Sequence, residues 1–137
     1  RLFILATSDE SGNGSDVVLS QRDVRELQFA KAAISTGWKL LLEEFGVDES
    51  EIQQVLLAGS FGTYLSATSA ITIGLVPQIP ALRIISAGNV AGEGAKMALL
   101  SDPERHGATA LLDEIHYVEL SDRTDFNDRF VDELAFP

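Results

Sequence analysis

Few residues of this chain are placed to do chemistry, and glycines lead them. Gly59-Ser60-Phe61-Gly62 and Gly88-Asn89-Val90-Ala91-Gly92-Glu93-Gly94 each follow an apolar run and precede a helix-forming one. Glycine lets a backbone approach a ligand closely, and a helix beginning there offers free N–H groups to an anion. Neither stretch has a standard fingerprint. Gly88, Gly92 and Gly94 do not fall into G-x-G-x-x-G, and Lys96 stands too close behind Gly94 to be a Walker A lysine. Taken singly, each stretch reads more readily as packing geometry. Two of them at the carboxyl ends of parallel strands point to a ligand, because open α/β sheets bind there.

Lys31 is the other residue that asks for an explanation. It interrupts an apolar seam running from Leu27 to Ile34. Either its stem is buried while the ammonium reaches water, or the ammonium is aimed into a cleft with Gln28 one turn earlier on the same face. Other residues carry less. His106 and His116 have no cysteine or second histidine nearby, so their reading is structural. Ser60 lies in G-S-F-G, which lacks the G-x-S-x-G elbow of a hydrolase. Residues 101–137 hold ten carboxylates against three arginines, a solvated face or a docking surface for a basic partner.

The elements that must position these residues follow from pattern. Arg1–Ala6 reads as a strand, Thr7–Asp16 as a polar turn around Asn13-Gly14, and Val17–Leu19 as the return, so residues 1–19 form a strand–loop–strand entry segment. Ser20 and Asp23 make a capping box for a long helix that Gly46 stops. Val24, Leu27, Ile34, Trp38, Leu41 and Phe45 predict its buried stripe, with Phe29, Ala33 and Leu40 on another side. Strands are predicted over Gln54–Ala58 and Arg83–Ala87, each leading through a glycine turn into a helix. The first of these helices is capped by Ser66 and closed by Gly74; the second runs to about Leu100. Such β–Gly–α units predict parallel strands. Asp102-Pro103 opens another helix. His116–Leu120 reads as a strand, and Asp125–Leu134 as a final helix with Phe126, Phe130, Val131 and Leu134 turned inward.

Composition bounds the function. The 137 residues are 45% hydrophobic and 23% charged, the balance of one globular domain. Lys+Arg total 10 against Asp+Glu 21, for a net charge of −11, which argues against neutralising nucleic-acid phosphates. The absence of cysteine excludes disulfides, thiolate metal sites and an iron–sulfur cluster held by this chain. No uninterrupted apolar run approaches the roughly 20 residues that span a bilayer. The chain begins Arg1-Leu2-Phe3, without a starting Met or a signal pattern, which reads as a processed product or a C-terminal piece.

One combination of spacings is specific. Ser20-x-x-Asp23-Val24-Arg25-x-Leu27-Gln28-x-Ala30-Lys31-Ala32-Ala33-Ile34-x-x-Gly37 is followed by Val55-Leu56-Leu57-Ala58-Gly59-Ser60-Phe61-Gly62. Then come Ser69-Ala70-Ile71-x-Ile73-Gly74-Leu75-Val76-Pro77, Gly88-Asn89-x-Ala91-Gly92-x-Gly94-Ala95-Lys96 and the ending Phe136-Pro137. From Ser20 onward the chain resembles the C-terminal part of the reductive activators of corrinoid proteins, ferredoxin-fused ATPases of the actin, heat-shock chaperone and sugar-kinase superfamily. The resemblance implies an α/β fold, half of an actin-like (ribonuclease H-like) ATPase domain with a mixed sheet and packed helices. It makes residues 1–137 a single C-terminal subdomain, the adenosine-side lobe of a larger enzyme.

Further implications concern the parent protein. It would bind ATP/ADP with Mg, carry a [2Fe–2S] cluster in an N-terminal domain, and drive an electron onto the cobalt of a corrinoid protein in a methyltransferase system, restoring Co(I) from Co(II). Each 59 mV of an uphill one-electron step costs a factor of ten, hence the need for ATP. The site residues implied are Gly59, Ser60, Phe61 and Gly62, together with Gly88, Asn89 and Gly92. Gln28 and Lys31 join them, because chaperone-like members present a Glu and a Lys three residues apart to the adenosine. Two departures are Gln28 in place of Glu, and Ala58-Gly59 where many members have Gly-Gly. No catalytic or metal residue is assigned to this chain, and no cofactor is expected to stay with it alone. A cytoplasmic location goes with the family. Two alternatives stand beside this reading: a lobe of an actin-like small-molecule kinase, and a non-enzymatic interaction module that forms a homodimer.

Overall fold

A computed structural model describes residues 2–137. Strand β1 (Leu2–Ala6) pairs antiparallel with β2 (Val17–Ser20), with an irregularity between Ile4 and Ala6. The loop between them is knitted by its own polar side chains: Asp16 accepts from the Ser8 N–H at 2.7 Å, and Ser11 donates to the Ser15 carbonyl at 2.6 Å. The predicted entry segment is therefore a hairpin.

Helix α1 (Gln21–Phe45) starts and stops where its sequence says it should. Ser20 Oγ accepts from the Asp23 N–H at 3.2 Å, and the Asp23 carboxylate accepts from the Ser20 N–H at 2.7 Å. Gly46, with φ +65°, takes the left-handed conformation that ends the helix.

Its buried face is not the predicted stripe. Leu27 and Ile34 are 45% and 48% exposed, and Leu41 and Phe45 are exposed as well. The buried positions are Lys31, Ala32, Ser35, Thr36 and Leu40, about a third of a turn away. The C-terminal elements lie against that small and polar face, while of the predicted stripe only Val24 and Trp38 are half-buried.

Strands β3 (Val55–Ala58) and β4 (Ile84–Gly88) are parallel neighbours, as the repeated β–Gly–α pattern requires, with Ala58 opposite Gly88. Helices α2 (Gly59–Tyr64) and α3 (Ala67–Thr72) follow β3. Ser66 caps α3, and Gly74 at φ +73° closes it. The apolar core sits on this unit: Ala70, Leu75, Val76, Ile79 and Ile84 are buried, with Val55, Leu57 and Leu65 packed against them.

After β4 come α4 (Val90–Leu100), α5 (Asp102–Ala110) and α6 (Phe126–Asp132). Ser101 caps α5, and Pro103 sits in its first turn, where a missing N–H costs nothing. Residues 116–119 form no strand; they run irregularly into a 3-10 turn at Leu120–Asp122 and pair with neither sheet. On α6, Phe130 stacks between Phe29 and Phe126 at centroid distances of 5.9 and 6.3 Å, but Val131 points outward and is 61% exposed.

The fold is α/β, with its strands in two separate two-stranded sheets rather than one mixed sheet. The chain exposes 10,092 Å², whereas a compact monomer of 14.8 kDa exposes about 7,000 Å². Many large apolar side chains contribute to it. All of Leu2, Phe3, Ile4 and Leu5 are exposed on the hairpin, as are Leu56, Leu99, Leu100, Leu112 and Ile115 elsewhere. No helix among the described residues is long and apolar enough to cross a membrane.

Candidate functional site: a glycine edge and a lysine clasp

The sequence-derived site residues fall into two localities. The first is the carboxyl edge of the parallel pair. Gly59 (φ +83°) directly follows Ala58, and Ala58 lies opposite Gly88 (φ +65°), so two left-handed glycines stand side by side. A Cβ built on either would meet nothing within 4 Å. Backbone conformation therefore selects glycine at both positions, and the space above them is open to a ligand.

Neighbouring residues have different duties. Gly62 is buried, and a Cβ there would lie 2.7 Å from the backbone carbon of Leu57, so this glycine lets α2 press onto β3. Residues 59–62 are thus the first turn of α2 rather than a free loop. Ser60 is exposed on that turn, and the Phe61 ring is 70% exposed.

At the second stretch, Asn89 is the cap of α4. Its Oδ1 accepts from the Gly92 N–H at 3.0 Å, and a Cβ on Gly92 would run into the Asn89 amide. Gly92 and Gly94 therefore lie inside α4, which shortens the predicted turn to Gly88-Asn89. The Asn89 side chain is committed to its helix.

The second locality surrounds Lys31, whose side chain is 2% exposed and neither reaches water nor stands free in a cleft. Its ammonium donates to the backbone carbonyls of Glu133 (2.6 Å) and Ala135 (2.7 Å), just past the end of α6. A cation there satisfies terminal carbonyls and complements the helix dipole. Pro137 and the Lys31 stem close on Gly74; a Cβ on that residue would lie 2.9 Å from Pro137 Cγ and 3.2 Å from Lys31 Cε. Trp38 Nε1 donates to the Leu75 carbonyl at 3.2 Å, tying the same face of α1 to the core unit.

Gln28, one turn before Lys31, is half-buried on this face. Lys31 lines a cavity of about 240 Å³ with Trp38, Lys39, Gly74, Glu133 and others, none of them a residue of the glycine edge. Glu133 ion-pairs with Lys39 and lies 3.8 Å from the Lys31 ammonium. Burial pushes its carboxyl up, but hydrogen bonds from Lys39 and Ser35 and the two positive charges outweigh that, and its pKa falls below the ordinary glutamate value.

The acidic C-terminal third is not one open patch. Arg123 chelates Asp125 at 3.0 and 3.1 Å and lies 3.8 Å from Glu43, while Arg129 bonds both Asp125 and Glu43. These pairs fasten α6 to the end of α1. Sequence reasoning missed this clasp, although the signal was present: arginines at 123 and 129 stand among carboxylates opposite an acidic helix end, Glu43-Glu44.

Comparison with known proteins identifies the family of the chain. A family described as the C-terminal domain of RACo, the ASKHA domain, matches residues 1–137. The corrinoid activation enzyme RamQ of Eubacterium limosum is 37% identical over 136 residues, which is 99% of this chain and 23% of that protein. A solved structure, a reductive activator for corrinoid, iron–sulfur protein, superposes with a TM-score of 0.87 at 38% identity, covering 99% of this chain and 22% of that one. The chain thus spans less than a quarter of the length of these relatives.

Proposed function

This chain belongs to the family of C-terminal ASKHA domains of RACo, and from that premise we propose that it serves as the adenosine-side lobe of an ATP-dependent activator that reduces a corrinoid protein. The observation carrying this reading is the match, along 99% of the chain, to a reductive activator of corrinoid proteins at 38% identity and a TM-score of 0.87. The corrinoid partner and its methyltransferase system belong to the parent, as does the [2Fe–2S] cluster, since this chain has no thiolate to hold one.

Open space at the glycine edge supports this reading. Gly59 and Gly88 leave the space above the strand ends clear, so an adenosine can lie against backbone, while the exposed Phe61 ring offers an apolar face to a base. ATP with Mg, when bound, supplies the free energy of phosphoryl transfer; the groups that hold its phosphates and metal come from the rest of the parent. The part of this chain is to bind and orient the adenosine. The surface excess of about 3,000 Å² over a compact monomer supports a lobe that closes against other parts of its own protein. The free edges of both sheets support completion of a mixed sheet by that partner segment. Closure on nucleotide would then bias the grip on the corrinoid partner.

Gly59→Val in the full-length protein tests this. Gly46→Val is the control, because Gly46 also has positive φ and open space but ends α1. ATP-dependent Co(II)-to-Co(I) reduction should be lost with Gly59→Val and kept with Gly46→Val. Reduction retained in both would overturn the assignment.

A further inference from the structure

Glu133 stands where two cavities meet. The cavity of about 240 Å³ is bounded by Lys31, Trp38, Lys39 and Glu133, and a second of about 210 Å³ by Thr36, Lys39, Arg129, Asp132 and Glu133. The Lys39–Glu133 ion pair is common to both and forms the wall between them.

Two buried groups beside that wall have unused hydrogen-bonding capacity. Lys31 carries three N–H donors and gives two to backbone carbonyls; Glu133 Oε2 stands 3.8 Å from the ammonium, beyond hydrogen-bonding distance. Thr36 Oγ1 is fully buried and has no partner among the described residues. Idle buried polar groups are costly, and cavities lined by them call for a ligand or water. Of the other charges nearby, Arg129 is committed to Glu43 and Asp125 and Glu49 to the Gln78 N–H at 2.6 Å, while Asp132, which lines the second cavity, is exposed.

We propose that Lys31 and Lys39 form a binding site for a small oxyanion, a phosphate or carboxylate, and that Glu133 occupies it as a tethered competitor. The Glu133 carboxylate serves Lys39 well and Lys31 poorly, because its stem fixes how far its oxygens reach. A free oxyanion bonds both ammoniums. When the Glu133 side chain swings aside, the wall opens and the Thr36 hydroxyl gains a partner. That swing leaves the clasp intact, because Lys31 holds Glu133 by its backbone carbonyl. This site is separate from the glycine edge and does not depend on the nucleotide reading.

Calorimetric titration of the full-length protein with inorganic phosphate, sodium acetate and ADP tests the proposal. Glu133→Gln should bind phosphate about tenfold more tightly than the parent, as for a site vacant in about one molecule in ten. Acetate should compete with phosphate, and ADP should not. Adding Lys39→Met should abolish the gain. If Glu133→Gln fails to fold, Lys39→Met alone, at a half-exposed position, must remove the phosphate response of the parent. Unchanged phosphate affinity in Glu133→Gln, a gain that survives Lys39→Met, or displacement of phosphate by ADP would each overturn it. Phosphate binding that behaves as stated in a protein that ignores ADP would support this site and count against the nucleotide reading alone.

Discussion

At the glycine edge the backbone turns through Gly59 and Gly88 with nothing above them, whereas at the lysine clasp a buried ammonium, two carbonyls, a carboxylate and a proline ring close on one another. Both localities are built on a residue whose type is forced. The edge needs glycine because φ is positive, and the clasp needs a long cation because terminal carbonyls must be satisfied inside the fold. One region is open, and the other has already met part of its own chain. A polar residue inside an apolar pattern therefore has two origins that a sequence does not separate: an external ligand, or another segment folding back.

The comparison can be broken by substitution. The largest effect is expected from Lys31→Met, which leaves the Glu133 and Ala135 carbonyls without a donor; about 3 kcal/mol should be lost, read as a lower urea midpoint of the full-length protein. A loss below about 1 kcal/mol would mean that the clasp is not closed in solution. Next come the glycines themselves. Gly62→Ala forces a methyl against the Leu57 backbone and should cost about 1–3 kcal/mol, while Gly88→Ala meets only the strain of positive φ, about 1 kcal/mol. Equal melting-temperature losses would erase the distinction between packing and open glycines.

A pH dependence is the smallest effect. Because the folded Glu133 carboxyl lies below its ordinary value of 4.5, the stability from its pairing is complete above that value and fades as pH falls through the lower folded one. Unfolding curves between pH 5 and 3 (roughly one unit about the ordinary glutamate value) should show a shallower decline in Glu133→Gln than in the parent.

Much of this fold is legible in the chain. The Ser20–Asp23 capping box, the stop at Gly46, the hairpin and the parallel β–Gly–α pair all follow from local chemistry that needs no distant partner. What misleads has a common cause. Leu27, Ile34 and Leu41 form a seam made for burial, yet they lie open, because periodicity marks the face to be covered and not what covers it. Residues 116–120 have strand-like alternation but join neither sheet. Gly92 and Gly94 read as a turn because glycine disfavours helices, but the Asn89 cap starts α4 earlier. Of the site residues, Gly59 and Gly88 share an edge, as their positions after two parallel strands imply, while Lys31 and Gln28 face the C-terminal segment.

Backbone amide exchange of the full-length protein, with and without saturating ADP, tests the central claim most directly. The account predicts slowed exchange across residues 58–62 and 88–92, with residues 133–137 unchanged. Protection confined to the clasp, or none at either glycine, would contradict it.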